Sequence, residues 1–357
     1  MSVLDLARPH LRGLRPYSSA RSLAAEAEVF LDANESPRVL GEAAALLGLN
    51  RYPAPQPPAL VREAARYYGV RADQVLVTRG ADEGIDLIVR AFVTPGREEI
   101  LIAPPTYGVY AIAARLHDCR VREVPLDAER DYALDVDAAL AALRAHPVKA
   151  IFICQPNNPT GNGFPFDEIE ALAAGSAGKA LLVVDEAYLE FSGLPSAVSL
   201  VERYPNVVVL KTLSKAWGLA GARCGFLVAD QAIVELMQAV RAPYPISLAA
   251  ARAVEAVFNV DGETAMRRLV AETMAERVRL RKEFLRRSIV ERLFPSAANF
   301  FLLRLKRKDE FFQTLKSRGI LIRDRGLEAG LDGCVRITIG LREENDRLLA
   351  VLGEFDG

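Results

Sequence analysis

The feature that most constrains this chain is a repeated hand-over from short apolar runs to polar residues. Between Gln74 and Leu210 the runs QVLVT, ILIAPP, AIFIC, LLVVD and VVVL alternate with segments whose apolar residues recur at helical spacing. In RGADEGIDLIVRAF, for example, Ile85, Leu87, Ile88, Ala91 and Phe92 fall on one face of a helix. Continuous apolar strands alternating with helices predict a mostly parallel sheet flanked by helices on both faces. In an open sheet of this kind, ligands gather outside the carboxyl ends of the strands. The polar residues cluster at those ends: Gly80 to Glu83, Tyr107, Asn157 and Asn158, Asp185 to Tyr188, and Thr212 to Lys215.

The remaining sequence has a different texture. The stretch RYPAPQPP (51–58) is a proline-rich loop leading into a helix over about 59–68. After APYPIS (242–247) a long charged helical stretch is expected to run to about Val290. A strand (NFFLLRL), a short helix (DEFFQTLKS), two strands (ILIR and CVRITIG) and a final helix follow it. We therefore expect a large α/β domain over 36–245 and a smaller α+β domain. The smaller domain would comprise 246–357 with 1–35, an N-terminal arm.

Composition excludes several classes. With 51% hydrophobic residues, 25% charged residues and a formal net charge of −1, the chain is globular. It has no electrostatic reason to bind nucleic acid or a membrane surface. Its four cysteines lack CxxC spacing and sit mostly in apolar runs, which predicts reduced packing residues and no zinc site. None of the three histidines lies in a motif, which argues against Ser-His-Asp chemistry and a histidine-rich metal centre; no metal is expected. Without a long apolar leader or a run of transmembrane length, a cytoplasmic location is expected.

Lys215 is the centre of the expected chemistry. It follows an apolar strand, stands beside Thr212 and Ser214, and precedes Arg223 by eight residues. An amine there can form a Schiff base with an aldehyde, while hydroxyls and a guanidinium hold a phosphate on the same molecule. Pyridoxal 5′-phosphate carries both groups; the alternative is a surface lysine after a strand. Asp185 ends an apolar run, where a carboxylate is costly without a partner. A protonated pyridine nitrogen would be such a partner, and capping of a neighbouring turn is the other reading. RGADEG places a glycine turn at a helix N-terminus, which attracts phosphate through free backbone N–H groups. Asp82 and Glu83 there equally fit as first-turn acids that complement the dipole. Tyr188 and Asn158 could reach the ring's phenolic oxygen. Tyr107 either stacks on the ring or packs its own loop.

The motifs TLSKAWGLAGARCGF, NNPTG, DEAYLEF, RGADEGIDLIVRAF and PPTYGVY resemble those of the fold-type I pyridoxal-phosphate aminotransferases of class I and II. RYPAPQP, LDANESP, PYSSAR, APYP and VRITIG are similar to the histidinol-phosphate aminotransferase branch of that family. The resemblance runs from about Pro16 to the last helix. It implies that Lys215 forms the Schiff base and then moves protons, and that Asp185 pairs with the ring nitrogen. It implies that Asn158 and Tyr188 bind the phenolic oxygen and that Tyr107 stacks on the ring. The backbone at Ala81, Asp82 and Glu83, with Thr212, Ser214 and Arg223, would hold the phosphate. Tyr52 would reach the phosphate in a neighbouring subunit, which makes the expected enzyme a homodimer with shared sites. Tyr17, Asn34, Arg323 and Arg336 would contact substrate. The implied reaction interconverts L-histidinol phosphate plus 2-oxoglutarate with imidazole-acetol phosphate plus L-glutamate, in histidine biosynthesis. The rivals are an aromatic aminotransferase or a threonine-phosphate decarboxylase on the same fold, and a non-catalytic cofactor-binding regulator.

Overall fold

In the computed structural model, residues 2–12, 14 and 48–356 are described. Two sheets organise the chain. The larger has seven strands: β1 (Val75–Thr78), β2 (Glu99–Ile102), β3 (Arg120–Glu123), β4 (Val148–Cys154), β5 (Leu181–Asp185), β6 (Val207–Thr212) and β7 (Gly225–Ala229). Their order is β1-β7-β6-β5-β4-β2-β3. All are mutually parallel except β7, which pairs antiparallel with both β1 and β6. The central strands β4, β5 and β6 are almost wholly buried, as their unbroken apolar runs require.

Six helices cover this sheet: α1 (Pro58–Tyr68), α2 (Gly80–Phe92), α3 (Val109–Leu116), α4 (Val136–Ala145), α5 (Phe166–Ser176) and α6 (Gln231–Val240). One core layer joins α2, α3 and α6 to one face through Ile85, Ile88, Phe92, Tyr110 and Ile233. The opposite layer holds Ala139, Leu143, Ile169 and Leu172 of α4 and α5. Helix α1 ends where Gly69 turns left-handed (φ 69°) and its N–H caps the last carbonyls. Residues 2–12, which the sequence division groups with the smaller layer, dock on the large-sheet layer. There Arg8 donates to the carbonyls of Val89 and Val93 at the end of α2.

The second sheet is antiparallel, in the order β10-β11-β9-β8. It comprises β8 (Val290–Leu293), β9 (Phe300–Leu305), β10 (Arg323–Asp324) and β11 (Cys334–Thr338). Helices α9 (Lys308–Ser317) and α10 (Arg342–Gly353) pack on it. Strand alternation divides β9: Phe301, Leu303 and Leu305 enter this small core, whereas Leu302 joins the core of the large sheet.

The expected long helix is two helices, α7 (Leu248–Glu255) and α8 (Val260–Phe284). Asn259 starts α8 afresh, its side chain accepting from the Gly262 N–H. Helix α8 links the two layers. Met266 and Val270 pack beneath the large sheet, while Leu280 and Phe284 pack on the small one. Three strands escape the sequence reading. β3 and β8 carry charged residues in place of an apolar run, and β7 begins at the end of the stretch that draws attention for its lysine. The strand expected over ILIR contracts to two residues. No helix of the described residues is long and apolar enough to cross a membrane.

One close approach shapes the cleft. Gly225 on β7 lies against the turn at Gly80, so a Cβ there would meet the Lys211 carbonyl oxygen at 2.6 Å and Gly80 backbone carbon at 2.9 Å. Backbone cannot yield as a side chain can. Gly225→Ala should therefore destabilise the protein by about 1–3 kcal/mol, measured by urea denaturation. Gly221→Ala, where nothing lies within 4 Å, should be close to neutral.

Candidate active site

Segments at or beyond the carboxyl ends of β1, β2, β4, β5 and β6 meet at one cavity of about 260 Å³. It is lined by Asp82, Tyr107, Asn158, Asp185, Tyr188, Thr212, Ser214, Lys215, Arg223 and Arg336, with Ala81, Cys154, Ala187 and Ala220 between them. Five separate segments of the large sheet thus converge with one residue of the small sheet.

Asp185 is the last residue of β5 and is 2% exposed. Its Oδ1 accepts from the Ala187 N–H at 3.1 Å and its Oδ2 from the Tyr110 hydroxyl at 2.8 Å. Burial pushes its carboxyl up to about 6, although these two hydrogen bonds pull the other way. Lys215 follows the turn after β6, and its Nζ lies 5.6 Å from the centre of the Tyr188 ring. Its amine titrates below the usual lysine range. Burial is the main cause and the positive Arg336 adds to it, while Asp82 and Asp185 oppose the shift. The cavity therefore sets an acid raised toward neutrality near an amine lowered toward it.

At one end of the cavity is a cradle. The helix α2 begins at Gly80, whose φ of 73° suits glycine. A Cβ at this position would sit 3.1 Å from Arg223 Nη2, so a side chain would crowd the guanidinium as well as strain the backbone. Thr212 donates to Ser214 Oγ at 3.0 Å, and Arg223 Nη1 reaches the same Oγ at 3.4 Å. Arg223 itself holds a left-handed conformation (φ 50°, ψ 50°), unusual for a non-glycine residue. Its Nη2 donates to Asp82 Oδ2 at 3.2 Å, and Tyr107 donates to Asp82 Oδ1 at 3.0 Å. Asp82 is thus tied to the guanidinium and does not stand as a free charge in the cradle.

Opposite the cradle, Arg336 on β11 donates to Asn158 Oδ1 at 2.6 Å, and Asn158 Nδ2 donates to the Tyr188 hydroxyl at 3.4 Å. Asn157 faces away and braces its loop, bonding Thr106, the Pro105 carbonyl and Thr160. Burial is the main force holding the phenols of Tyr107 and Tyr188 well above the ordinary tyrosine range, so both remain hydroxyls.

Several expected site residues lie elsewhere. Glu83 does not turn its side chain into the cavity. Its carboxylate accepts from the Arg79 N–H at 2.7 Å and from Arg79 Nε at 2.9 Å, which closes the start of α2. Arg323 is exposed and outside the cavity lining, directly across from Arg336 in the β10–β11 pair. Tyr52 is 50% exposed and stacks on Tyr244 with ring centres 4.6 Å apart, away from the cavity of its own chain. Tyr17 and Asn34 lie outside the described residues. Tyr110 is the contact that sequence reading missed. Its only signal was a second tyrosine three residues after Tyr107, near a helix start.

A pyridoxal 5′-phosphate group fits this donor set. The glycine cradle with Thr212, Ser214 and Arg223 suits a phosphate, and the neutral phenols and Asn158 suit a ring oxygen. The buried carboxylate of Asp185 lacks a cationic partner among its hydrogen bonds, which a protonated ring nitrogen would supply. Among the described residues no group of three or more His, Cys, Asp or Glu could hold a metal ion.

Comparison with known proteins points the same way. The profile of the family described as aminotransferase class I and II matches residues 21–352. The histidinol-phosphate aminotransferase of Yersinia pseudotuberculosis is 42% identical over 356 residues, covering 100% of this chain and 92% of that protein. The enzyme of the same name from Escherichia coli is 41% identical over 352 residues, covering 99% and 98%. Among solved structures, histidinol-phosphate aminotransferase from Sinorhizobium meliloti in complex with pyridoxal-5′-phosphate superposes with a TM-score of 0.78. It is 25% identical and covers 97% of this chain and 96% of that one.

The raised carboxyl of Asp185 has a consequence in cofactor-free protein. Its folded pKa, about 6, lies above the ordinary aspartate value. The ionised form is then the strained one: the cost is full above pH 7 and disappears below about pH 4, where the folded and unfolded acids are both protonated. Asp185→Asn should therefore stabilise the cofactor-free protein at pH 8 by up to about 3 kcal/mol. The gain should shrink to a small fraction at pH 4, as read from denaturation at pH 8 and pH 4.

Proposed function

The chain belongs to the aminotransferase class I and II family, and from that premise we propose that it is a histidinol-phosphate aminotransferase. It interconverts L-histidinol phosphate and 2-oxoglutarate with imidazole-acetol phosphate and L-glutamate, a step of histidine biosynthesis. The observation that carries this reading is the convergence of Lys215, Asp185, Asn158, Tyr188, Arg223 and Arg336 on one cavity. Identity above 40% along nearly the whole of two relatives with that activity supports it.

Bound pyridoxal phosphate supplies an aldehyde that condenses with amines and a ring that accepts the electrons released at the substrate's Cα. The protein does the rest. Lys215 Nζ takes the Cα proton and delivers it onward, and its lowered pKa keeps more of the amine neutral for that work. Proton transfer by a positioned side chain contributes roughly 10²–10⁴ in rate. Asp185 holds negative charge at the ring nitrogen. Asn158 and Tyr188 would hold the ring through its oxygen, Tyr107 would lie against it, and the Gly80 turn with Thr212, Ser214 and Arg223 would hold its phosphate. Substrate and product alternate on the same amine carrier, a ping-pong scheme.

The two substrates differ in their anions. Glutamate carries carboxylates and histidinol phosphate carries a phosphate monoester. A guanidinium fork accepts either one bidentately. We assign this task to Arg336, with Arg323, its cross-strand neighbour, as a second positive charge at the cavity mouth. Tyr17 and Asn34 are assigned to substrate on the family resemblance alone. The same resemblance underlies the homodimer, with Tyr52 donated to the partner's phosphate site, and the domain division at 36–245. A cytoplasmic location fits a biosynthetic enzyme.

Cofactor-loaded protein mixed with histidinol phosphate, without a keto acid, should form one equivalent of imidazole-acetol phosphate per site. Phenylalanine and threonine phosphate, tested alongside, should give far less product and no carbon dioxide. Carbon dioxide from threonine phosphate, or faster turnover of phenylalanine, would move the assignment elsewhere in the family. Arg336→Lys should lower kcat/KM for both glutamate and histidinol phosphate by about 10- to 100-fold, the worth of a charged hydrogen bond. Wild-type efficiency with both substrates would rule out the shared fork.

A further inference from the structure

Tyr110 is 0% exposed and lies in α3, behind the cavity wall. Two of its contacts reach groups that the mechanism uses. Its hydroxyl donates to Asp185 Oδ2 at 2.8 Å. Its ring meets that of Tyr107 edge-on, with centres 5.6 Å apart and planes at 84°. From behind, Phe152 of β4 stacks on it at 5.0 Å and fixes its position. Burial of a tyrosine at this depth does not in itself call for the hydroxyl; phenylalanine would fill the same space. The hydroxyl is kept where a buried carboxylate needs a donor.

We propose that Tyr110 is a positioning residue for the cofactor ring: its hydroxyl orients the Asp185 carboxylate, and its ring edge sets the plane of Tyr107. One side chain that touches neither cofactor nor substrate would thereby align the acid at the ring nitrogen with the aromatic on the ring face. This rests on the aminotransferase reading of the cavity.

The geometry also fixes a direction. A phenol that donates to a carboxylate favours the ionised acid, the form that pairs with a cationic ring nitrogen. The other titratable groups that act on Asp185 are Asp82 from α2, Cys154 from β4, Tyr107, Tyr188 and Lys215, with Glu186 on the far side of its own strand end. Asp82 and Glu186 oppose ionisation. The buried thiol of Cys154 is pushed well above its ordinary range and stays neutral. Lys215 is the nearby amine, and with the cofactor bound it would be engaged with the aldehyde. Tyr110 and the Ala187 N–H are then the lasting donors to the carboxylate.

The test is titration of cofactor-free wild type, Tyr110→Phe, Asp185→Asn and the double variant with pyridoxal 5′-phosphate between pH 5 and pH 9, followed by cofactor absorbance. In wild type, affinity should fall on acidification as Asp185 takes up a proton. In Tyr110→Phe, affinity near pH 7 should drop about tenfold, the worth of one hydrogen bond to a charged group. The midpoint of its acid limb should rise by about one pH unit. In the Asp185→Asn background the same change should cost less than about twofold, because the two side chains act as a unit. Installing 3-fluorotyrosine at position 110, a more acidic phenol of nearly the same shape, should move the midpoint down, and this serves should the phenylalanine variant fold poorly. Equal losses in both backgrounds, or an unmoved midpoint in both position-110 proteins, would overturn the proposal and leave the aminotransferase reading intact. Failure of wild type to bind the cofactor would overturn both.

Discussion

The arrangement depends on a carboxylate held out of water at the carboxyl end of a central strand. Asp185 terminates a strand whose other residues are all buried and apolar, so the sheet that creates the core also sets the acid in place. Burial alone would neutralise it. The Tyr110 hydroxyl and the Ala187 amide oppose that, and a cationic ring would complete the compensation. The adjacent strand end supplies the amine, and the turn after β1 supplies the cradle. Each lies where a parallel sheet leaves its strand ends open.

Opposite sides of the same strand ends serve different purposes. Asp185 and Thr212 face the cavity. Their chain neighbours Glu186 and Lys211 form an ion pair on the other side, with side chains 0% and 4% exposed. Glu186 also accepts from Ser196 and from the Ala197 N–H, so its negative charge is well satisfied. A buried pair of this kind contributes little net stability, but breaking it leaves an uncompensated charge. It therefore fixes how β5 and β6 sit relative to one another, and with them Asp185 and the turn that carries Lys215. Arg336 adds the corresponding link between layers. It reaches from the small sheet to Asn158 on the large one, so the substrate side of the cavity is shared by both.

Much of this was legible in the sequence because the informative residues are local. An apolar strand that stops at a charged or hydroxyl residue is a signal carried by five or six positions; Asp185, Thr212, Ser214 and Lys215 stand at or just past such stops, Asn158 in the polar loop after one, and Arg223 eight residues after the lysine. What escaped depends on tertiary context. Tyr110 sits within an apolar helix, where a tyrosine looks like core, and only the approach of α3 to β5 reveals its hydroxyl's partner. Glu83 looked like part of the phosphate turn, yet an acid at this position bonds its own helix start through Arg79. β7 was hidden because it begins within the last two residues of the motif stretch, and its antiparallel insertion between β1 and β6 cannot be read from local pattern. The break at Asn259 lies inside a continuous charged stretch, where one capping side chain decides the boundary.

The proposed chemistry depends on one lysine carrying the cofactor next to one acid. Borohydride reduction of the cofactor-loaded protein, followed by peptide mass spectrometry, tests it most directly. The expected result is a single reduced pyridoxyl adduct on Lys215, lost in Lys215→Ala and retained in Asp185→Asn at saturating cofactor. An adduct spread over surface lysines, with Lys215 unmodified, would contradict the central assignment.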